Sequence, residues 1–237
     1  MLTDAKDWEI RVIWMNVILC AAMGYLLGMI NPAYIFGRLY GFDIRKFGSK
    51  NAGATNATMI MGKGTGVVCM LMDVFKGFAA YKLAVKLFPT LVFAGALAGT
   101  ACILGHIFPA WMGFAGGKGL ASLLGVMLAH NWKLFIALLI AEILLVLMLG
   151  YICVMALSLS VVFPAVYVLG TGDLVGMCAL ALLIPVVVYK HLPNIGRIMQ
   201  GKEMRISWLW NAKEEEARLE GNFSAQEWKS IYKKVHQ

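Results

Sequence analysis

Three stretches of this sequence concentrate side chains able to hold phosphate. "FGSKNAGATN", residues 47–56, packs Gly48, Ser49, Lys50, Asn51, Gly53, Thr55 and Asn56 into ten positions of an otherwise oily chain. "GHIFPAWMGFAGGKGLAS", residues 105–122, carries His106 and sets Lys118 among Gly116, Gly117 and Gly119. "YKHLPNIGRIMQGKE", residues 189–203, offers His191, Asn194 and Arg197 at intervals of three, with Glu203 beyond. Glycine-rich turns let successive backbone N–H groups converge on one point, which makes an anion nest. A neighbouring lysine or arginine adds charge, and arginine adds a bidentate fork. Lys118 stands where a helix is predicted to start, and the positive end of the helix dipole also favours an anion there. His191 is the residue type that works as a base or phosphate donor near neutral pH, and it shares a helical face with Asn194 and Arg197 if the helix runs through Pro193.

For either glycine segment alone, close helix packing explains the composition equally well. Both together, with Lys50 and Lys118, favour phosphate binding. A nucleotide P-loop fails on spacing. "GFAGGK" has three residues rather than four between Gly113 and Gly117-Lys118, and Gly119 stands where Ser or Thr is needed.

The elements that must position these residues are read from composition. Of 237 residues 60% are hydrophobic and 14% charged, which predicts an all-α integral membrane protein. Seven spans are expected, near 12–36, 65–88, 90–110, 117–130, 132–150, 151–169 and 172–190, forming a seven-transmembrane-helix bundle with glycine-rich cytoplasmic loops. With the N-terminus outside and the C-terminus cytoplasmic, the inner side receives Arg38, Arg45, Lys46, Lys50, Lys63, Lys118 and the basic tail. The outer side keeps Lys6, Arg11, Lys82, Lys86 and Lys133, so the positive-inside rule is met. All three polar stretches then fall on the inner face, whereas the outer connections read as short and chemically dull.

The net charge of +8 is placed by topology, and nucleic-acid binding is excluded because no soluble segment could present a basic face. The five cysteines are odd in number, all in apolar segments and without CxxC spacing, which argues against a disulfide framework or a metal site. No removable signal peptide is expected. Asp73 and Lys76 in "LMDVFKG" lie at i,i+3 inside a span and are expected to pair toward the bundle interior. Glu142 has no sequence-near partner.

In order and spacing, "GSKNAGATN", "LMDVFKG", "GHIFPAWMGFAGGKG" and "HLPNIGRIMQGKE" resemble the bacterial acyl-phosphate:glycerol-3-phosphate acyltransferases, the PlsY family. The resemblance runs from about Gly24 to Glu203. It implies transfer of a fatty acyl group from acyl phosphate to the 1-hydroxyl of glycerol 3-phosphate at the cytoplasmic face of the bacterial inner membrane, with no metal and no cofactor. It implies that Ser49, Lys118, His191 and Asn194 carry the chemistry. Lys50, Asn51, Gly53, Thr55, Asn56, His106, Gly116, Gly117, Gly119, Arg197 and Glu203 would bind substrate. Four positions depart from the family's usual pattern: Lys50 replaces a glycine, Met59 an arginine, Ala115 a lysine and Leu192 a basic residue. "LGMIN" also departs from a usual "LGSIP". A paralogue with another acceptor or no catalysis, and a transporter or binder of an anionic metabolite, are the alternative readings.

The chain divides into a membrane domain, 1–203, and a cytoplasmic tail, 204–237. In the tail Trp208 and Trp210 read as interface anchors. Ser224 and Glu227 form a capping box, and Trp228, Ile231, Tyr232 and Val235 give one apolar helical face for the anionic inner leaflet. A contact with the enzyme that supplies acyl phosphate is the alternative role for that tail.

Overall fold

The computed structural model describes residues 2–211 and 214–215, with side chains from Asp7 onward. Among these residues all regular structure is helical: α1 (Leu2–Gly28), α2 (Pro32–Leu39), α3 (Ala54–Met61), α4 (Lys63–Leu87), α5 (Ala94–Ile107), α6 (Leu120–His130), α7 (Trp132–Leu149), α8 (Cys153–Thr171), α9 (Leu174–Ala181) and α10 (Leu183–Met199). The tail helices expected beyond 215 lie outside the described residues.

The expected span at 12–36 stops early. α1 ends at Gly28, and Asn31 starts α2 by accepting the Tyr34 N–H at 2.9 Å, with Pro32 preset as the first helical residue. The pair "NP" is a start signal that the sequence displays. The expected span at 172–190 is two helices, α9 and α10, joined at Leu182 and running on to Met199. Among the described residues five segments are long and apolar enough to cross a membrane: Asp7–Gly28, Ala94–Met112, Trp132–Leu149, Cys153–Thr171 and Leu174–Met199. α4, which carries Asp73 and Lys76, is not among them. Neither is α6, whose 11 residues rise only about 16 Å, about half the hydrocarbon thickness.

α5, "AGALAGTACILGHI", is almost wholly buried, and its small residues are the reason neighbouring helices can reach it. A Cβ on Gly28 of α1 would fall 2.0 Å from the Cys102 carbonyl oxygen, so only glycine permits that approach. α6 packs on the C-terminal half of α4: a Cβ on Gly77 would meet the Ser122 carbonyl oxygen at 2.2 Å. Ser122, in the first turn of α6, therefore lies beside Gly77, about 20 Å of helical rise from Lys63. Side chains of α5, α6, α8 and α10, among them Ile103, Leu123, Leu159 and Val187, fill the main apolar core.

Buried charge is paired across helices. Asp73 and Lys76 meet at 2.7 Å facing α5, as their spacing predicts. Glu142 of α7 finds its partner on α8, accepting from the Ser158 hydroxyl at 2.7 Å. The connections read as dull are tied by side chains, through Tyr81 to His130 at 2.9 Å and through Tyr167 donating to Asp173 at 2.7 Å.

Candidate active site

The first glycine segment is a loop between α2 and α3, and much of its polar content holds the loop itself. Asp43 caps a short 3₁₀ turn, Ile44–Lys46, by accepting the Arg45 N–H at 3.0 Å. The Arg45 guanidinium pairs with Asp43 at 2.8 Å and lies 4.7 Å from the Tyr34 ring centroid. It also donates to the carbonyls of Met112 at 2.6 Å and Ala115 at 3.2 Å. That pairing holds the Asp43 carboxyl below its usual range. Arg45 thus clamps the first glycine segment to the second, a role its sequence position as a topology charge does not reveal.

Asn56 is fully buried and spends its amide on the loop. It donates to Ile44 at 3.0 Å and Phe47 at 3.1 Å, and accepts from the Ser49 N–H at 2.9 Å. Asn31, buried under the loop, donates to the Ala52 carbonyl at 3.0 Å. Ser49, Lys50 and Thr55 are left exposed, Asn51 is half-buried, and Gly53 is the buried N-cap of α3. Lys50 takes a left-handed backbone with φ +58°, a conformation that costs a residue with a β-carbon about 1–2 kcal/mol. A glycine at this position, as the resemblance implies, would avoid that cost.

In the second segment the anticipated nest shifts. The Gly116 and Gly117 N–H groups cap the end of α5, donating to Ile107 at 3.1 Å and His106 at 3.0 Å, because those terminal carbonyls have no intrahelical donor. These two amides are therefore not available to an anion. A Cβ on Gly117 would lie 2.0 Å from His106 Nε2 and 3.0 Å from the Ala52 carbonyl oxygen, so the first two segments touch at this glycine. The available donors lie one turn later. Leu120, Ala121 and Ser122 precede the first bond of α6, Leu123 N–H to Gly119, and Lys118 stands beside them. The Ser122 hydroxyl is buried with no partner among the described residues.

His106 belongs to a closed cluster beneath this loop. Lys76 Nζ donates to the Ile30 carbonyl at 2.6 Å, meets His106 Nδ1 at 2.8 Å and forms an ion pair with Asp73 at 2.7 Å, and Asp73 Oδ1 also lies 3.3 Å from His106 Nδ1.

The third segment lies on α10, which continues through Pro193. His191 and Asn194 are buried on one face, one turn apart. His191 Nδ1 donates to the Val187 carbonyl at 2.8 Å, leaving Nε2 as the acceptor. Lys118 Nζ donates to Asn194 Oδ1. Asn194 Nδ2 donates to Glu203 Oε1 at 2.5 Å, and Arg197 Nε donates to Glu203 Oε2 at 2.6 Å. A continuous polar chain therefore joins the second segment to the third. Burial pushes the Lys118 amine down to about 8, with Glu203 opposing the shift.

Of the four departures, Met59 is buried in an apolar cluster, and Ala115 lends its carbonyl to Arg45. Lys50 and Leu192 face outward. A cavity of about 580 Å³ at the other end of the bundle, by Lys82, His130, Trp132 and Lys133, has none of the three segments in its wall.

The family model for glycerol-3-phosphate acyltransferase matches residues 18–201. A glycerol-3-phosphate acyltransferase of Sinorhizobium fredii is 39% identical over 205 residues, covering 86% of this chain and 98% of that protein. One from Aquifex aeolicus is 32% identical over 192 residues, covering 81% of this chain and all of that protein. The crystal structure of PlsY (YgiH), an integral membrane glycerol 3-phosphate acyltransferase, in its glycerol 3-phosphate form superposes with a TM-score of 0.75 at 29% identity, covering 83% of this chain and 98% of that one. Its lysophosphatidic acid form gives 0.70 at 30% identity, covering 81% and 96%.

Proposed function

The chain belongs to the glycerol-3-phosphate acyltransferase family, and on that premise we propose that it moves a fatty acyl group from acyl phosphate to the 1-hydroxyl of sn-glycerol 3-phosphate. The relatives act on, and the related crystal structures carry, the acceptor and the product class this requires. The observation that carries the reading is the chain Lys118–Asn194–Glu203–Arg197, which sets a half-buried ammonium at the start of α6.

In the proposed reaction the hydroxyl oxygen attacks the acyl carbonyl carbon, a C–O ester bond forms, and the bond to the phosphate oxygen breaks. Inorganic phosphate leaves and takes the hydroxyl proton. Acyl phosphate is already activated, so alignment and charge stabilisation are what the protein must supply. Lys118 and the first-turn amides of α6 take the acyl phosphate head, because they are the more enclosed donors and border the apolar core. His191 Nε2 accepts from the attacking hydroxyl and orients it. Arg197 and the exposed Ser49, Lys50 and Thr55 take the phosphate of the water-soluble acceptor, with Asn51 beside them.

Membrane placement follows the same reading. α4 and α6 complete a seven-helix arrangement with the five apolar segments, the N-terminus outside and the active face cytoplasmic, in the bacterial inner membrane. The distribution of Arg38, Arg45, Lys46 and Lys63 against Lys82, Lys86 and Lys133 supports it. The sequence beyond residue 215 is assigned to the inner leaflet on the apolar face of Trp228, Ile231, Tyr232 and Val235. The test is phosphate release by the purified full chain given palmitoyl phosphate, with and without glycerol 3-phosphate. Release that needs the acceptor and is lost in Lys118→Ala is expected. Folded protein with no acceptor-dependent release would overturn the reading.

A further inference from the structure

The family match ends at residue 201, yet the residues just beyond it are held firmly against the loop that carries Ser49 to Asn56. Ile206 N–H donates to the Gly150 carbonyl at 2.8 Å, and Lys63 Nζ donates to the Leu209 carbonyl at 3.1 Å. Between these points Trp208 is 8% exposed. It is buried in the same apolar cluster as Ile44, Ala52, Met59, Met61 and Met112, with Met204 packed at its edge. Ile44 and Ala52 lie on the first loop, Met59 and Met61 on α3 that follows it, and Met112 on the second. The Arg205 N–H donates to Glu215 Oε1 at 2.8 Å, which ties the start of the segment to the residues after it. Trp208 is therefore not an interface anchor, although Trp210, two residues on, is exposed.

We propose that residues 204–209 are a positioning strap added to the family core, whose Trp208 fixes the first loop against the second and so sets the affinity of that loop for a phosphate-bearing substrate. The strap follows Glu203 directly along the chain, but the apolar cluster that holds Trp208 is built largely from the two loops and α3. Its effect falls on binding at Ser49, Lys50 and Thr55 rather than on the chemical step. This rests on the proposed assignment of the acceptor to the first loop, but the bracing itself does not.

Trp208→Ala in the full chain separates the two. Hydrogen exchange is expected to speed up in residues 44–61 and stay unchanged in 94–107, while Trp208→Phe stays close to the parent protein. The KM for glycerol 3-phosphate is expected to rise about tenfold with kcat within about twofold, since small misplacements of a positioning loop carry penalties of that order. Unchanged exchange in 44–61, or exchange accelerated uniformly along the chain, would overturn the strap. A parent protein with no transferase activity would sink the proposed function alone, because the exchange measurement still reads the bracing. Should Trp208→Ala not fold, Lys63→Ala removes only the bond to Leu209 and is expected to show the same local pattern at smaller amplitude.

Discussion

Two buried ionic clusters lie within reach of the same glycine loop, and they differ in whether anything is left over. In the Asp73–Lys76–His106 cluster the lysine meets a carbonyl, a ring nitrogen and a carboxylate inside the protein, and both charged partners are nearly inaccessible. In the Lys118–Asn194–Glu203–Arg197 chain the lysine meets one side-chain acceptor, and the arginine side chain remains 38% exposed. The first cluster spends its lysine inside the protein. The second has donors to give to a ligand. A buried charge in sequence thus divides into two uses, and the number of unspent donors distinguishes them.

The contrast can be broken most forcefully at the closed cluster. Lys76→Met should strand Asp73 as an unpaired buried charge and cost about 3–5 kcal/mol of stability, read as a large drop in unfolding temperature in detergent. The double variant Asp73→Asn, Lys76→Met should recover more than half of that loss. A double variant as unstable as the single would show that Lys76 has a use beyond pairing. At the open cluster, Lys118→Ala should lower kcat/KM about 10²-fold, close to 2.7 kcal/mol of transition-state stabilisation, while the unfolding temperature hardly moves.

The pH response sharpens the same point. Burial lowers the Lys118 amine to about 8, so the ammonium is present below that pH and is lost as pH rises through it. kcat/KM should then fall by about tenfold for each pH unit above 8, and Lys118→Arg should hold its own, lower, activity flat over that range. A profile equally steep in the arginine variant would assign the titration elsewhere. The smallest effect is at Lys50. Lys50→Gly should stabilise the protein by about 1 kcal/mol by relieving the left-handed backbone, measured by chemical unfolding. Its KM for glycerol 3-phosphate should rise no more than about fivefold, as an exposed charge contributes little.

Helix positions from α4 to α8 were legible because long apolar runs and their breaks are local properties of the chain, whereas the break at Leu182 and the run on to Met199 were not. The pairing of Asp73 with Lys76 was legible for the same reason, since i,i+3 spacing fixes it. The site was legible as residue types and only partly as roles. Gly116 and Gly117 looked like phosphate donors until the end of α5 claimed their amides, and Asn56 looked like a ligand until Ile44, Phe47 and Ser49 claimed its amide. Both outcomes depend on which carbonyls and amides arrive nearby when the chain folds, and spacing does not encode that. Arg45 shows the converse, a residue that looked like mere surface charge and proved to be the clamp on Met112 and Ala115.

The shortness of α6 bears on which substrate has to travel. Because Ser122 in its first turn lies beside Gly77, the start of that helix, which Lys118 precedes by two residues, is set in from the Lys63 end of α4. On the proposed function, the reacting carbonyl is met near its own depth, and every methylene that need not be lifted out of lipid spares about 0.8 kcal/mol. On that reading the small, hydrated acceptor is the substrate that travels, and the fat stays where it is.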